Sequence, residues 1–343
     1  MRIGIIGFGY WGKILSRCFS EVPALDVSFI ADIAPLKREE ARRHFPNALL
    51  AASPDELLGR GNMDAVVIAT PANTHYGIAK AALEAGRHVW IEKPIAETAA
   101  QARALVMLAQ ERRRVLFVDH TFLYSDSIRL IKEMLVLKDL ENVRCYESIR
   151  TNKGQCREDT SIFHDLAIHD LAILDFLVGE SPLAVSAKKL PTQGAATPGQ
   201  RIALTYASGM RAGINVNWSA STKARRIVIS SNRQAVEFDD MELHHKVRFH
   251  ERPRPVADEH GLCGVDADRL NGRVLPLHSR RETLANAVEC FLRCVRTGER
   301  PVSDGWQGVR LAAIVDACMS SAEAGGTWIE AAPPYEMACR QDA

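Results

Sequence analysis

Arg2-Ile3-Gly4-Ile5-Ile6-Gly7-Phe8-Gly9-Tyr10-Trp11-Gly12 is an apolar run that ends in a Gly-x-Gly-x-x-Gly loop. The run has the length of a buried strand, and beyond the loop Ile14, Leu15, Cys18 and Phe19 recur on one helical face. A second apolar run, Val27 to Ala31, ends in Asp32, twenty residues after Gly12. Strand, glycine loop, helix, strand and acid form the order of a dinucleotide-binding βαβ unit, and this context strengthens a glycine pattern that is weak alone. In such a unit Gly7 permits the tight turn, Gly9 lets the backbone approach a pyrophosphate, and Gly12 lets the helix pack closely. Gly7 to Gly12, with Phe8, Tyr10 and Trp11 between the glycines, are therefore the expected phosphate site, at a helix N-terminus.

Asp32 is expected to accept hydrogen bonds from the adenosine ribose hydroxyls, and its charge repels the extra phosphate of NADP, so NAD is the expected cofactor. Lys37 and Arg38 follow closely and keep NADP open as the alternative, although the helical pattern Pro35 to Phe45 places them at solvent by default.

The alternation continues. Ser53-Pro54-Asp55-Glu56 has the spacing of a capping box with Pro at the first helical position. Strands are expected over Asp64 to Ala69, Arg87 to Ile91 and Val115 to Asp119, with helices over Thr74 to Ala85 and from a Thr98 cap to Arg113. Repeated βα units predict a mostly parallel, doubly wound sheet whose ligand lies off the carboxyl ends of the strands. Two strand-end loops carry chemistry there: Thr70-Pro71-Ala72-Asn73-Thr74-His75 and Glu92-Lys93-Pro94. Thr70, Pro71, Asn73, His75, Glu92 and Lys93 are expected to border the cofactor.

At 343 residues the chain predicts two domains, with 1–120 binding the dinucleotide and 121–343 binding substrate. Lys and Arg number 43 against 42 Asp and Glu, which leaves no field to draw nucleic acid or an anionic membrane. No apolar run reaches membrane-spanning length and no secretory leader precedes the first strand, so a cytoplasmic protein is expected. The eight cysteines form no Cys-x-x-Cys pair. The His-, Pro- and Arg-rich stretch His244 to Cys263 lacks metal-ligand spacing, so a variable loop and no metal site are expected.

In the second half, Phe163-His164-Asp165-Leu166-Ala167-Ile168-His169-Asp170 opens a helical pattern that runs to Gly179. Asp165 and His169, four apart, share a face on which the acid can orient the imidazole. The same spacing also suits a structural ion pair. Arg201 to Tyr206 and Arg211 to Trp218 flank Ala207-Ser208-Gly209 as a hairpin, and Arg226 to Ser230 pairs with Ala235 to Phe238. An antiparallel sheet follows. Helices are expected over Arg281 to Thr297 and Gly305 to Ala324.

The glycine loop, Glu92-Lys93-Pro94 and the Asp165-x-x-x-His169 helix, in that order, resemble the glucose-fructose oxidoreductase, inositol dehydrogenase and MocA (Gfo/Idh/MocA) family over nearly the whole chain. The resemblance implies an N-terminal Rossmann domain and a C-terminal α+β domain with a large, mostly antiparallel sheet. It also implies assembly into homodimers or homotetramers through that sheet. It makes Lys93, Asp165 and His169 the catalytic and substrate-contacting set. Ser161-Ile162-Phe163-His164 stands where many relatives have glycines, and His120-Thr121-Phe122-Leu123-Tyr124 is similar to branches acting on sugar nucleotides. Tyr124 and Asn152 are further expected substrate contacts.

The expected activity is hydride transfer between the nicotinamide and a hydroxyl-bearing carbon of a sugar, cyclitol or sugar nucleotide. His169 is assigned as base, Asp165 as its orienting partner and Lys93 as the cation that stabilises the alkoxide. A lysine depressed by burial is an alternative base. A non-catalytic dinucleotide sensor of the same fold is the alternative function.

Overall fold

The computed structural model describes residues 1–154, 160–190, 199–251, 255–257, 263–265, 272–277 and 281–331. The chain divides into two compact units, Met1–Tyr124 with Arg281–Ala312, and Ser125–Arg280 with Ala313–Ala343.

The first unit alternates β1 (Arg2–Ile6), α1 (Tyr10–Ser20), β2 (Asp26–Ala31), α2 (Pro35–His44), β3 (Leu49–Ala51), α3 (Pro54–Gly59), β4 (Ala65–Ile68), α4 (Ala72–Glu84), β5 (His88–Glu92), α5 (Ala99–Glu111) and β6 (Leu116–Asp119). The strands form one six-stranded sheet in the order β3-β2-β1-β4-β5-β6, and every neighbouring pair is parallel. The chain winds outward from β1 in one direction and then from β4 in the other, which opens a crevice at the carboxyl ends of these two strands. The sequence shows five of the strands. β3 is too short for its alternation to show.

Local chemistry sets the helix starts. Ser53 Oγ accepts the Glu56 amide at 3.1 Å, and Thr98 Oγ1 accepts the Gln101 amide at 3.2 Å. Each satisfies an amide that the first helical turn leaves unpaired. On one side of the sheet Trp90 stacks on Phe117, ring centroids 4.3 Å apart, and Phe117 stacks on Tyr124 at 5.4 Å. Phe19 and Phe291 meet Trp90 edge-on. Phe291 lies on α8 (Thr283–Thr297), so a helix distant in sequence completes this core.

The second unit contains α6 (Asp126–Val136), β7 (Cys145–Lys153), α7 (Ile168–Val178), β8 (Ala184–Lys189), β9 (Gln200–Thr205), β10 (Arg211–Asn217), β11 (Ser219–Ser230), β12 (Gln234–Asp239), β13 (Val247–Glu251), β14 (Pro255–Ala257), β15 (Cys263–Val265), β16 (Arg273–Val274) and β17 (Ile329–Glu330). The nine-stranded sheet has the order β16-β13-β12-β11-β7-β10-β9-β8-β17. Its pairs are antiparallel apart from β7 with β10, which run parallel. Both hairpins expected from the sequence are present. α6 and α7 pack on each other, and α7 is apolar on all sides, with Leu171, Ala172, Ile173 and Leu174 all buried.

Two expectations require correction. The stretch His244 to Cys263, expected as a loop, carries β13, a member of the large sheet, and the two-stranded β14–β15 pair. Val247 and His250 are buried there despite the loop-like composition; residues 252–254 and 258–262 lie outside the described residues. The helix expected to open at Phe163 begins as a π-helical turn over Phe163–Ala167 and becomes α-helical from Ile168.

Candidate functional site

The glycine loop is shaped by close approach. Gly7 has φ +91, a region that side chains other than Gly rarely enter, and a Cβ there would lie 2.5 Å from the Ala69 carbonyl oxygen at the end of β4. A Cβ on Gly12 would run into the Gly7 carbonyl oxygen. Gly9, by contrast, faces open space, with no heavy atom within 4 Å of where its Cβ would stand. It is also the N-cap of α1, and no side chain caps that terminus. Open space beside Gly9 at an uncapped helix start fits a dinucleotide pyrophosphate.

Phe8 contributes its backbone, because its ring is 1% exposed and packs against His44 and Phe45. Tyr10 and Trp11 are exposed and meet edge to face, centroids 5.6 Å apart. Asp32 accepts the Phe8 amide on Oδ2 at 2.7 Å and the Ala34 amide on Oδ1 at 2.8 Å. The carboxylate thus fixes the glycine loop from the tip of β2, and each oxygen keeps a lone pair for a ribose hydroxyl. Arg38 Nη1 donates to the Asp32 and Ile33 carbonyl oxygens at 2.7 and 3.0 Å, which brings its guanidinium to the same strand end.

The loops after β4 and β5 are tied by His75. Its ring is 1% exposed, with Nδ1 2.7 Å from the Pro94 carbonyl oxygen and Nε2 2.9 Å from that of Thr70. Burial lowers the affinity of this ring for a proton, against the two carbonyls that raise it. His75 therefore braces the two loops from beneath. Pro71 and Asn73 are exposed at the start of α4, and the Thr70 and Thr74 hydroxyls meet at 2.7 Å. Lys93 is half-buried, and the Lys93–Pro94 peptide is cis.

Glu92 ends β5 beside Asp119 at the end of β6, the two paired directly in register. Both are buried, at 9% and 2% exposure, and so is His120 at 2%. Burial, reinforced by the charge of Asp119, raises Glu92 well above the usual carboxylate range. Burial likewise lifts Asp119 to about 6. Burial, with the charge of Lys93 adding to it, holds His120 down to about 3, so its ring is neutral near pH 7. Asp119 and His120 escaped the sequence reading. The only sign of them was their place at the tip of the last predicted strand.

Tyr124, expected to contact substrate, lies instead in the core of the first unit. Its ring is 0% exposed, and its hydroxyl meets Ser303 Oγ at 2.8 Å.

In the second unit the π-helical turn carries Asp165, and the first turn of α7 carries His169; both are half-buried. π-Turns occur often at functional positions, where the extra residue redirects side chains. Asp165 Oδ2 accepts the indole N–H of Trp218 at 2.8 Å. The next residue after His169 is Asp170, which takes Arg150 through Nε at 2.6 Å and Nη2 at 3.3 Å, with both partners buried. Tyr146 donates its hydroxyl to the Asp170 carbonyl oxygen at 3.2 Å. The turn bearing His169 is thereby pinned to β7. Asn152 lies near the end of β7, half-buried. Trp218, Arg150 and Asp170 join the sequence-derived residues as supports of this turn.

Residues 1–120 match the model of an oxidoreductase family with an NAD-binding Rossmann fold, Gfo/Idh/MocA. UDP-N-acetylglucosamine 3-dehydrogenase of Acidithiobacillus ferrooxidans is 29% identical over 320 residues, 91% of this chain and 94% of that protein. Its solved structure superposes with a TM-score of 0.80, covering 95% of this chain and 98% of that one at 24% identity. Levoglucosan dehydrogenase in complex with NADH superposes with a TM-score of 0.81 at 18% identity, covering 97% and 99% of the two chains. The uncharacterized oxidoreductase YdgJ of Escherichia coli (strain K12) is 32% identical over 179 residues, a match spanning 49% of this chain and 51% of that protein. With its glycine loop and strand-tip Asp32, the matched stretch, residues 1–120, is similar to the NAD-binding Rossmann domain of the Gfo/Idh/MocA oxidoreductases.

Proposed function

We propose that the protein oxidises a secondary hydroxyl of a sugar, a cyclitol or a sugar nucleotide, with NAD as hydride acceptor. The observation that carries this reading is the alignment along 94% of a dehydrogenase named for UDP-N-acetylglucosamine. An inositol 2-dehydrogenase of Rhizobium meliloti (strain 1021), 22% identical over 94% of this chain, extends the substrate class to cyclitols.

When bound, NAD supplies the electrophilic nicotinamide carbon. Gly7, Gly9, Gly12 and the amides of Tyr10 and Trp11 would hold its pyrophosphate, Phe8 would keep the loop in place through its amide on Asp32, and Asp32 would take the ribose hydroxyls. Thr70, Pro71, Asn73 and Glu92 border it, and His75 keeps their loops in place. His169 removes the hydroxyl proton, a task suited to an imidazole. Asp165, itself held by Trp218, orients that ring. Lys93 places a positive charge on the oxygen as it becomes an alkoxide and later a carbonyl. Asn152 contributes to the sugar contacts.

We place the protein in the cytoplasm, as a homodimer or homotetramer. Cys18, Cys145, Cys290, Cys294 and Cys318 are buried thiols, which suits a reducing compartment, and no helix of the described residues is long and apolar enough to cross a membrane. Ile149 on the central strand β7 is 45% exposed, an apolar group suited to a subunit contact through the large sheet.

The test is steady-state kinetics of Lys93→Ala and His169→Ala beside NAD binding by each. Both variants are expected to lose at least about a hundredfold in turnover, the usual value of a placed acid–base or electrostatic group, with NAD affinity little changed. Near-full turnover by both would refute the assignment.

A further inference from the structure

At the carboxyl end of the parallel sheet, Glu92 and Asp119 sit directly opposite each other on adjacent strands. Register partners in a sheet send their side chains to the same face about 5 Å apart. Both are buried, and among the described residues Glu92 Oε1 and Asp119 Oδ2 have no hydrogen-bond partner. Thr121 Oγ1 donates to Asp119 Oδ1 at 2.6 Å. The indole of Trp90 lies beside Asp119, Lys93 follows Glu92 in the chain, and the buried imidazole of His120 completes the surroundings. Among the described residues Lys93 and His120 are ionisable groups beside the pair, and the charge of Lys93 acts on both carboxyls.

Two adjacent carboxylates buried together repel strongly if both are ionised, while the positive charge of Lys93 acts on both and favours ionisation of one. We propose that Glu92 and Asp119 hold one proton between them and act as a single negative charge that positions and balances the Lys93 ammonium. This deepens the functional reading and rests on it. With one charge behind it, Lys93 is neutralised on its sheet side yet still presents N–H donors to a developing alkoxide. Loss of the shared proton puts two negative charges against one positive and disfavours alkoxide formation. The upward displacement of both carboxyls by burial agrees with this arrangement.

The experiment is an infrared titration of the full chain, without substrate, using carbon-isotope-labelled Glu or Asp to identify the C=O band of a protonated carboxyl. In the unsubstituted protein at pH 7 one such band is expected. It is expected to vanish in Glu92→Gln, and in Asp119→Asn its midpoint is expected to fall by about one pH unit or more, because burial still favours the protonated Glu92 but the charge of Asp119 no longer adds to it. Absence of the band from the unsubstituted protein, its persistence in Glu92→Gln, or an unmoved midpoint in Asp119→Asn would overturn the proposal. Lys93→Met provides a second reading that leaves the pair intact. Removing the cation is expected to move the band's midpoint upward by about one pH unit or more, and an unmoved midpoint would break the link to Lys93. Failure of the whole functional reading shows differently: no substrate is turned over while the band behaves as described.

Discussion

Trp218, at the junction of β10 and β11, donates its indole N–H to Asp165 Oδ2 at 2.8 Å and is itself 5% exposed. A rigid, buried aromatic thus fixes one oxygen of the acid that the sequence assigned as orienter of His169. Trp218→Phe keeps most of the packing and deletes the donor. We expect turnover to fall by about tenfold, the value of one hydrogen bond to a charged group, with NAD affinity unchanged and the pH profile of turnover displaced. An unchanged pH profile in stopped-flow kinetics would assign Trp218 to packing alone.

Asp32 supports the glycine loop through the Phe8 amide, and in the proposed function it takes the ribose hydroxyls. Asp32→Ser keeps one acceptor but removes the charge, while Arg38 stays at the strand end. The ratio of kcat/KM for NAD over NADP should fall by about tenfold or more, the equivalent of one charge-assisted hydrogen bond. A constant ratio would mean that other residues read the 2′ position.

The Gly7–Gly12 contact has no room for a methyl group. Gly12→Ala must push α1 away from β1, at a cost of about 2–3 kcal/mol by the usual penalty for overpacking. Denaturant unfolding should show that loss together with weakened NAD binding. Gly9→Ala, whose Cβ meets nothing in the protein, should leave stability nearly intact and weaken NAD binding alone.

Burial holds His120 neutral down to about pH 3, whereas the unfolded chain protonates this ring near pH 6.5. Below pH 6.5 the unfolded state therefore binds more protons, and the contribution of His120 to stability falls as the pH drops toward 3. Asp119 acts in the opposite sense. Its folded value is raised from 3.8 to about 6, so its contribution is complete below 3.8 and lost as the pH rises through 6. A variant comparison separates the two. His120→Leu should gain stability relative to the unsubstituted protein by about 2 kcal/mol more at pH 5 than at pH 8, measured from urea midpoints. An equal difference at both pH values would show that the ring is not held neutral.

Local signals carried the sequence reading as far as they reach. Strand, glycine loop and helix announced the first unit because each βα repeat has its own periodicity and cap, as at Ser53 and Thr98. What escaped depends on partners far away in the chain. Tyr124 reads as a loop aromatic until Ser303 and Phe117 enclose it. His75 reads as a ligand contact until Pro94 and Thr70 occupy both ring nitrogens. The Glu92–Asp119 pair exists only through strand register, and the π-turn at Phe163 is too short to alter an apolar period. β13 lay hidden in a His- and Arg-rich stretch because its buried positions, Val247 and His250, are few.

The most direct measurement is the initial rate of NADH formation, by absorbance, with purified protein, NAD and a panel of cyclitols, aldoses, amino sugars and sugar nucleotides. The account predicts turnover on one of these classes, with NAD preferred to NADP. Saturable NAD binding with no turnover on any class, in either direction, would contradict it and identify a chain that binds the dinucleotide without using it.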